Sequence, residues 1–186
     1  MKNIQKVLAN IIQESTKIFW ILFKVILPVV IVIRALELLG AIPYLAKFLE
    51  PLTSFIGIDG SLGLVWMAAI LVNIYAGMAA FASLQAIFDY TVAETTILGL
   101  IILIAHSLPI EVAIARQSRV SAIFNLLFRF INAVIAGKIL NYIFIKFELF
   151  NEKNSSILDI PTSVVSNLDW LILQSKNFLI IFLIIF

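Results

Sequence analysis

An amide, a phenol, an imidazole and a carboxylate interrupt two otherwise apolar stretches of this chain. The first interruption is Asn73-Ile74-Tyr75-Ala76-Gly77 and the second is His106-Ser107-Leu108-Pro109-Ile110-Glu111. In hydrocarbon an unsatisfied polar group costs several kcal/mol, so such residues belong in protein or along a wet cavity. Broken helices that meet near the bilayer midplane are how many carriers build their solute sites. His106 and Glu111 straddle Pro109 and suit binding a cation, taking up a proton or contacting a solute hydroxyl. They equally suit capping the ends of a broken helix. Asn73, Tyr75, Gly77, Gln85, His106, Ser107 and Glu111 therefore form the candidate solute-binding set, and Asn73, Tyr75, His106 and Glu111 are expected to converge on one polar cavity near the midplane.

Other chemistry is disfavoured. His106 is the only histidine and there is no cysteine, which excludes a multi-histidine or thiolate metal site within one chain. A metalloprotease needs paired histidines and a glutamate on one helix, and none are present. Ser107 follows His106 directly in sequence, a spacing that rarely gives triad geometry. No Gly-x-Ser-x-Gly, P-loop or dinucleotide fingerprint occurs. No catalytic residue, metal or cofactor is expected, and the chain does not read as an enzyme.

The elements that must position these groups are membrane helices. The chain is 62% hydrophobic and 13% charged, about half the charge of a soluble domain. Its mean hydropathy is +1.11. A net charge of +2 with scattered Lys and Arg leaves no nucleic-acid footprint. The class is an all-α integral membrane protein with broken or re-entrant half-helices, expected as a multi-pass protein of the inner (cytoplasmic) membrane.

Along the chain, residues 1–17 read as an amphipathic helix lying in the interface or packed on the bundle, with Ile4, Val7, Leu8 and Ile11 on one face. A first span follows from Ile18 to Leu39, kinked at Pro28, with Arg34 and Glu37 placed to pair. Lys24 within it either snorkels or serves a function. Tyr44 to Ile56 is too short to cross, and Asp59 with Ser61 marks the next helix start. Residues 62–88 read as one tilted helix or as two half-helices meeting near Gly77. Thr95 to Ala105 is a half-span, and Pro109 begins another helix with Glu111 in its first turn.

The last full span, Val120 to Phe147, carries Ser118, Ser121, Asn125, Arg129 and Asn132 at spacings of three, four, four and three. An intramembrane Arg needs a partner, and Glu111 and Glu94 are the candidates for Arg129. The membrane domain thus spans 18–147, followed by a polar loop at 148–169 and the start of a further helix at 170–186. Ser175-Lys176-Asn177-Phe178 echoes Thr16-Lys17-Ile18-Phe19, as though a second repeat were starting.

In order, the features are Lys24 to Pro28, Arg34-Ala-Leu-Glu37, Leu52-Thr-Ser-Phe-Ile-Gly57-Ile-Asp-Gly60, Asn73-Ile-Tyr75-Ala-Gly77-Met-Ala-Ala80 and Ala105-His106-Ser107-Leu108-Pro109-Ile110-Glu111. This series, over roughly residues 15–145, resembles the nucleoside-recognition (Gate-domain) membrane proteins. They include spore maturation proteins A and B, with related segments in concentrative nucleoside transporters and ferrous iron transport protein B. The resemblance implies one Gate-like repeat unit handling a small polar solute, a nucleoside or a cation. Larger members carry the unit twice, so a homo-oligomer or a second Gate protein is the expected partner, besides the bilayer. The alternative is a non-transporting assembly or morphogenesis factor that uses the same scaffold for partner contacts.

Overall fold

The computed structural model describes residues 2–85, 87–154 and 172. The expected connector beyond residue 154 and, apart from Ile172, the apolar segment 170–186 lie outside the described residues, as does the repeat echo. Among the described residues the chain is all-helical: α1 (Lys2–Leu38), α2 (Ile42–Ile56), α3 (Gly60–Leu71), α4 (Ile74–Gln85), α5 (Val92–Ile104), α6 (Leu108–Gln117) and α7 (Ala122–Lys146). Three lengths are long and apolar enough to cross a membrane: Gln13–Leu38, Val92–Gln117 and Ala122–Lys146. The bent pair of α2 and α3 brings the maximum to four.

Two boundaries differ from the sequence reading. Residues 2–17 continue into the first span without a break, because nothing between Lys2 and Pro28 stops a helix and Pro28 itself is carried inside α1. Thr95 to Ala105 is not an isolated half-span either. α5 and α6 together form the 26-residue length Val92–Gln117, interrupted at Ala105–Ser107.

Gly40, with a positive φ of 63°, ends α1, and Pro43 sits in the first turn of α2. α3 turns 91° from α2, so α2 lies across the end of α3. That crossing is close. A Cβ on Gly60 would stand 2.5 Å from the Ala46 carbonyl oxygen, and one on Gly63 would stand 2.9 Å from Leu49 and Thr53 side chains.

α3 and α4 form a hairpin of two 12-residue arms. Each arm is about 18 Å long, roughly half a bilayer core. The break falls at Val72–Asn73, not at Gly77, which lies inside α4 against Ala69 of α3. Both arms open to the same end of the molecule. Ser61 at the start of α3 bonds Tyr90, which follows α4, at 2.7 Å, and Phe81 of α4 packs on Tyr90.

That end is closed by a polar network. Asp59 accepts from the Ser61 N–H and hydroxyl, so the Tyr90 phenol donates to Ser61. Burial pushes the Tyr90 phenol well above the ordinary tyrosine range, and the Ser61 bond only partly offsets it. Thr91 and Glu94 form a capping box on α5, and the second Glu94 oxygen accepts the Asp59 N–H at 3.1 Å. The chain beyond α7 returns here. The carbonyls of Glu152 and Phe150 take the N–H groups of Val92 and Ala93, and Asn154 Nδ2 donates to Thr95. α7 therefore runs antiparallel to the α5–α6 length, and the turn at 118–121 lies at the opposite end.

The core joins these parts. Ile56, Leu62, Val65, Leu84, Ile97 and Ile101 are fully buried in one cluster that reaches Ala133 and Phe144 of α7. α1 joins this cluster through Ile33 and packs Ile26 and Val30 against Ala79 of α4.

Candidate functional site

The two helix breaks touch. The Ser107 N–H, on a residue held at φ 50°, donates to the Ala69 carbonyl in the last turn of α3 at 2.8 Å. The tip of the α3–α4 hairpin and the interruption of α5–α6 thus share one level of the bundle.

A broken helix leaves its last carbonyls without intrahelical donors. At the end of α5 side chains from three elements supply them. His106 Nδ1 bonds the Ile102 carbonyl at 2.8 Å, Arg129 Nε donates to Ile104 at 2.9 Å, and Trp66 Nε1 donates to Ala105 at 3.2 Å. A carbonyl only accepts, so Nδ1 of His106 donates, and Nε2 has no hydrogen-bond partner among the described residues.

Arg129 Nη1 also reaches Glu111 at 2.8 Å, with the two side chains 22% and 37% exposed. The charges alternate through the site. The negative C-terminal end of α5 meets the Arg129 cation, which meets the Glu111 anion, which lies in the first turn of α6 at that helix's positive end. Every charge has an opposite neighbour, which is what an intramembrane ion pair requires.

Asn73 caps the second arm of the hairpin, its Oδ1 accepting the Ala76 N–H at 3.0 Å and leaving Nδ2 to point elsewhere. Asn73 is half-buried and Tyr75 is 47% exposed. Neither bonds directly to His106 or Glu111 among the described residues; the connection runs through Ala69 and Ser107. Gln85 ends α4 at the network end, eleven residues from Ile74 and so about 16 Å along the helix axis from the break. Glu94, the other carboxylate considered for Arg129, is committed to the network at the N-terminus of α5.

Trp66 did not stand out in the sequence. It is 2% exposed, stacks on Phe130 of α7 at 5.2 Å and ties α3 to the α5 break. Its one signal was chemical: a buried indole N–H needs an acceptor, and helix breaks supply free carbonyls.

No family model matches the chain, and no solved structure matches it. Over 98 residues, 53% of its length, it is 29% identical to a Bacillus subtilis (strain 168) protein, "uncharacterized membrane protein YvoD". The match spans 30% of that relative's own length. Helices of crossing length and this relative agree on one coarse statement: the chain is a multi-pass membrane protein.

Proposed function

We propose that the chain is a transport-type membrane protein of the Gate kind, binding a small polar solute, a nucleoside or a cation, between its two helix breaks. The Ser107 to Ala69 hydrogen bond carries this reading, because it seats a half-span hairpin against a broken span. The Gate resemblance orders the same two features in the same way. Groups left over after capping provide the binding chemistry. They are Nε2 of His106, Nδ2 of Asn73, the Tyr75 hydroxyl and the part-exposed Glu111 carboxylate. Together they donate and accept hydrogen bonds and neutralise positive charge, with no bond made or broken.

Uptake of nucleosides and of alkali and divalent cations into proteoliposomes tests it. The intact protein should accumulate at least one of these, and Glu111→Gln should lower that flux by about tenfold or more, the usual weight of a hydrogen bond to a charge. A folded protein with no flux for any of them overturns the proposal. One observation favours a second reading, an assembly factor: Trp66, His106, Arg129 and Glu111 already engage helix ends or one another, as a rigid scaffold requires.

The same topology supports an orientation in the cytoplasmic membrane. α3–α4 returns to the end it entered, so the start of α1, with Lys2, Lys6 and Lys17, lies at the same end as Arg116 and Arg119. Near its helix ends the network end carries Lys47, Lys146 and Lys153, fewer than these five. Positive residues stay inside, which makes the α6–α7 turn cytoplasmic. The chain lacks cysteine, so single-cysteine labelling is clean. Ser118→Cys should be protected from an impermeant maleimide in intact cells and Asn151→Cys labelled; the reverse pattern refutes the orientation.

A further inference from the structure

α7 is the least covered of the three crossing lengths, with 11% of its most apolar stretch buried. Arg129 and Ala133 face the bundle, while Phe124, Leu127, Phe128 and Ile131 line a shallow groove on the outside. A lipid-facing surface explains those four. It does not explain Asn132, which is exposed in the same groove.

Asn132 stands ten residues from Ala122 and fourteen from Lys146, about 15 and 21 Å from the helix ends. A side chain that short cannot reach either headgroup layer. Its Nδ2 donates to the Phe128 carbonyl at 2.6 Å. One N–H and the carbonyl oxygen have no partner among the described residues. Hydrocarbon supplies none, so an amide at this depth needs another protein surface.

We propose that this surface is a second copy of the chain, and that the outer face of α7 is a homodimer seam closed by Asn132 against its counterpart. The groups left over decide the partner. One free donor and one free acceptor on the same amide complement themselves across a two-fold axis, each copy giving one hydrogen bond and taking one. The aromatic groove on either side supplies packing for the partner helix. Asn132 lies about 60° round α7 from Arg129, and the seam uses none of the solute-site residues, so it stands independently of that reading.

The protein in nanodiscs, weighed by native mass spectrometry across a dilution series, gives the test. The parent should be a dimer. Asn132→Val should raise its dissociation constant by about tenfold, given the usual strength of interhelical hydrogen bonds in bilayers, and Asn132→Gln should stay within about threefold. Ile135→Cys, one turn along the same face, should form a disulfide-linked dimer on oxidation in native membranes, whereas Ile21→Cys on the exposed face of α1 should not. A monomeric parent, a Val variant that dimerises like the parent, or crosslinking through Ile21 alone overturns the proposal. So does a disulfide formed within one chain between Ile135→Cys and Leu179→Cys, which would make the C-terminal apolar segment the occupant.

Discussion

Replacing Arg129 by Met should destabilise the protein by about 2–3 kcal/mol, and replacing Glu111 by Leu in the same chain should recover a substantial part of that loss. The single Arg129→Met change does two things. It strips the Ile104 carbonyl of its donor at a helix end, and it leaves the Glu111 carboxylate without its cation. Removing one partner of a fully buried pair costs about 3–5 kcal/mol, and the part exposure of both side chains here calls for a smaller figure. Glu111→Leu alone leaves Arg129 still bonded to Ile104 and should cost about 1–2 kcal/mol. In the double variant no charge is left unpaired, and only the Ile104 carbonyl still lacks a partner. The two effects should therefore fall short of additivity by about 1–3 kcal/mol, the range for residues in direct contact. Thermal unfolding of all four proteins in one detergent gives the cycle. Additive losses would mean that the pair contributes nothing, and an Arg129→Met protein melting with the parent would remove it from the site's structure altogether.

Part of this arrangement is legible in the sequence. Composition alone forces membrane helices, and Pro109 with its polar neighbours marks the interruption of α5–α6, because proline removes a donor and a lipid-facing helix has no use for His106 or Glu111. The polar stripe on α7 was legible only as a set. Arg129 turns inward to a carbonyl and a carboxylate, whereas Asn132, three residues later, faces outward. A stripe about 60° wide on a helix straddles the boundary between bundle and lipid, and spacing does not say on which side each member falls.

Gly77 misled for a related reason. Small residues mark either a break or a close approach, and local sequence does not separate the two. The break went to Asn73, whose side chain can cap a new helix, and Gly77 became the place where the arms touch. Gln85 shows the converse limit: an amide type carries no information on depth, and this one ends its helix far from the break. Trp66 was hidden by its own hydrophobicity, since only its N–H matters at the site. Long-range partners of this kind depend on how the hairpin folds back, which no periodicity within a single helix records.

Replacing Gly77 by Val should separate the arms of the hairpin and disturb the junction of the two breaks. A Cβ at this position would lie 2.7 Å from the Ala69 Cβ and 3.4 Å from the Val65 carbonyl oxygen. The first distance is well inside van der Waals contact, and Val adds two further methyl groups. α4 has little room to yield, because its other side carries α1 through Ala79 against Ile26 and Val30. The strain therefore falls on Ala69, whose carbonyl accepts the Ser107 N–H. Overpacking of this kind costs about 1–3 kcal/mol, and loss of the Ser107 bond adds about 1 kcal/mol. Gly77→Ala should act in the same direction with a smaller effect. Moving the methyl across the interface provides the control: Ala69→Gly combined with Gly77→Ala restores the total volume and should melt closer to the parent than Gly77→Ala alone. Helix propensity is unchanged between the swap and the parent, whereas Gly77→Ala alone gains about 1 kcal/mol of it, so the swap and the parent differ only in packing. Unfolding temperatures of the parent, both Gly77 variants and the swap decide the matter. A Gly77→Val protein as stable as the parent would mean that the arms do not pack through this residue, and the junction built on Ala69 would lose its support.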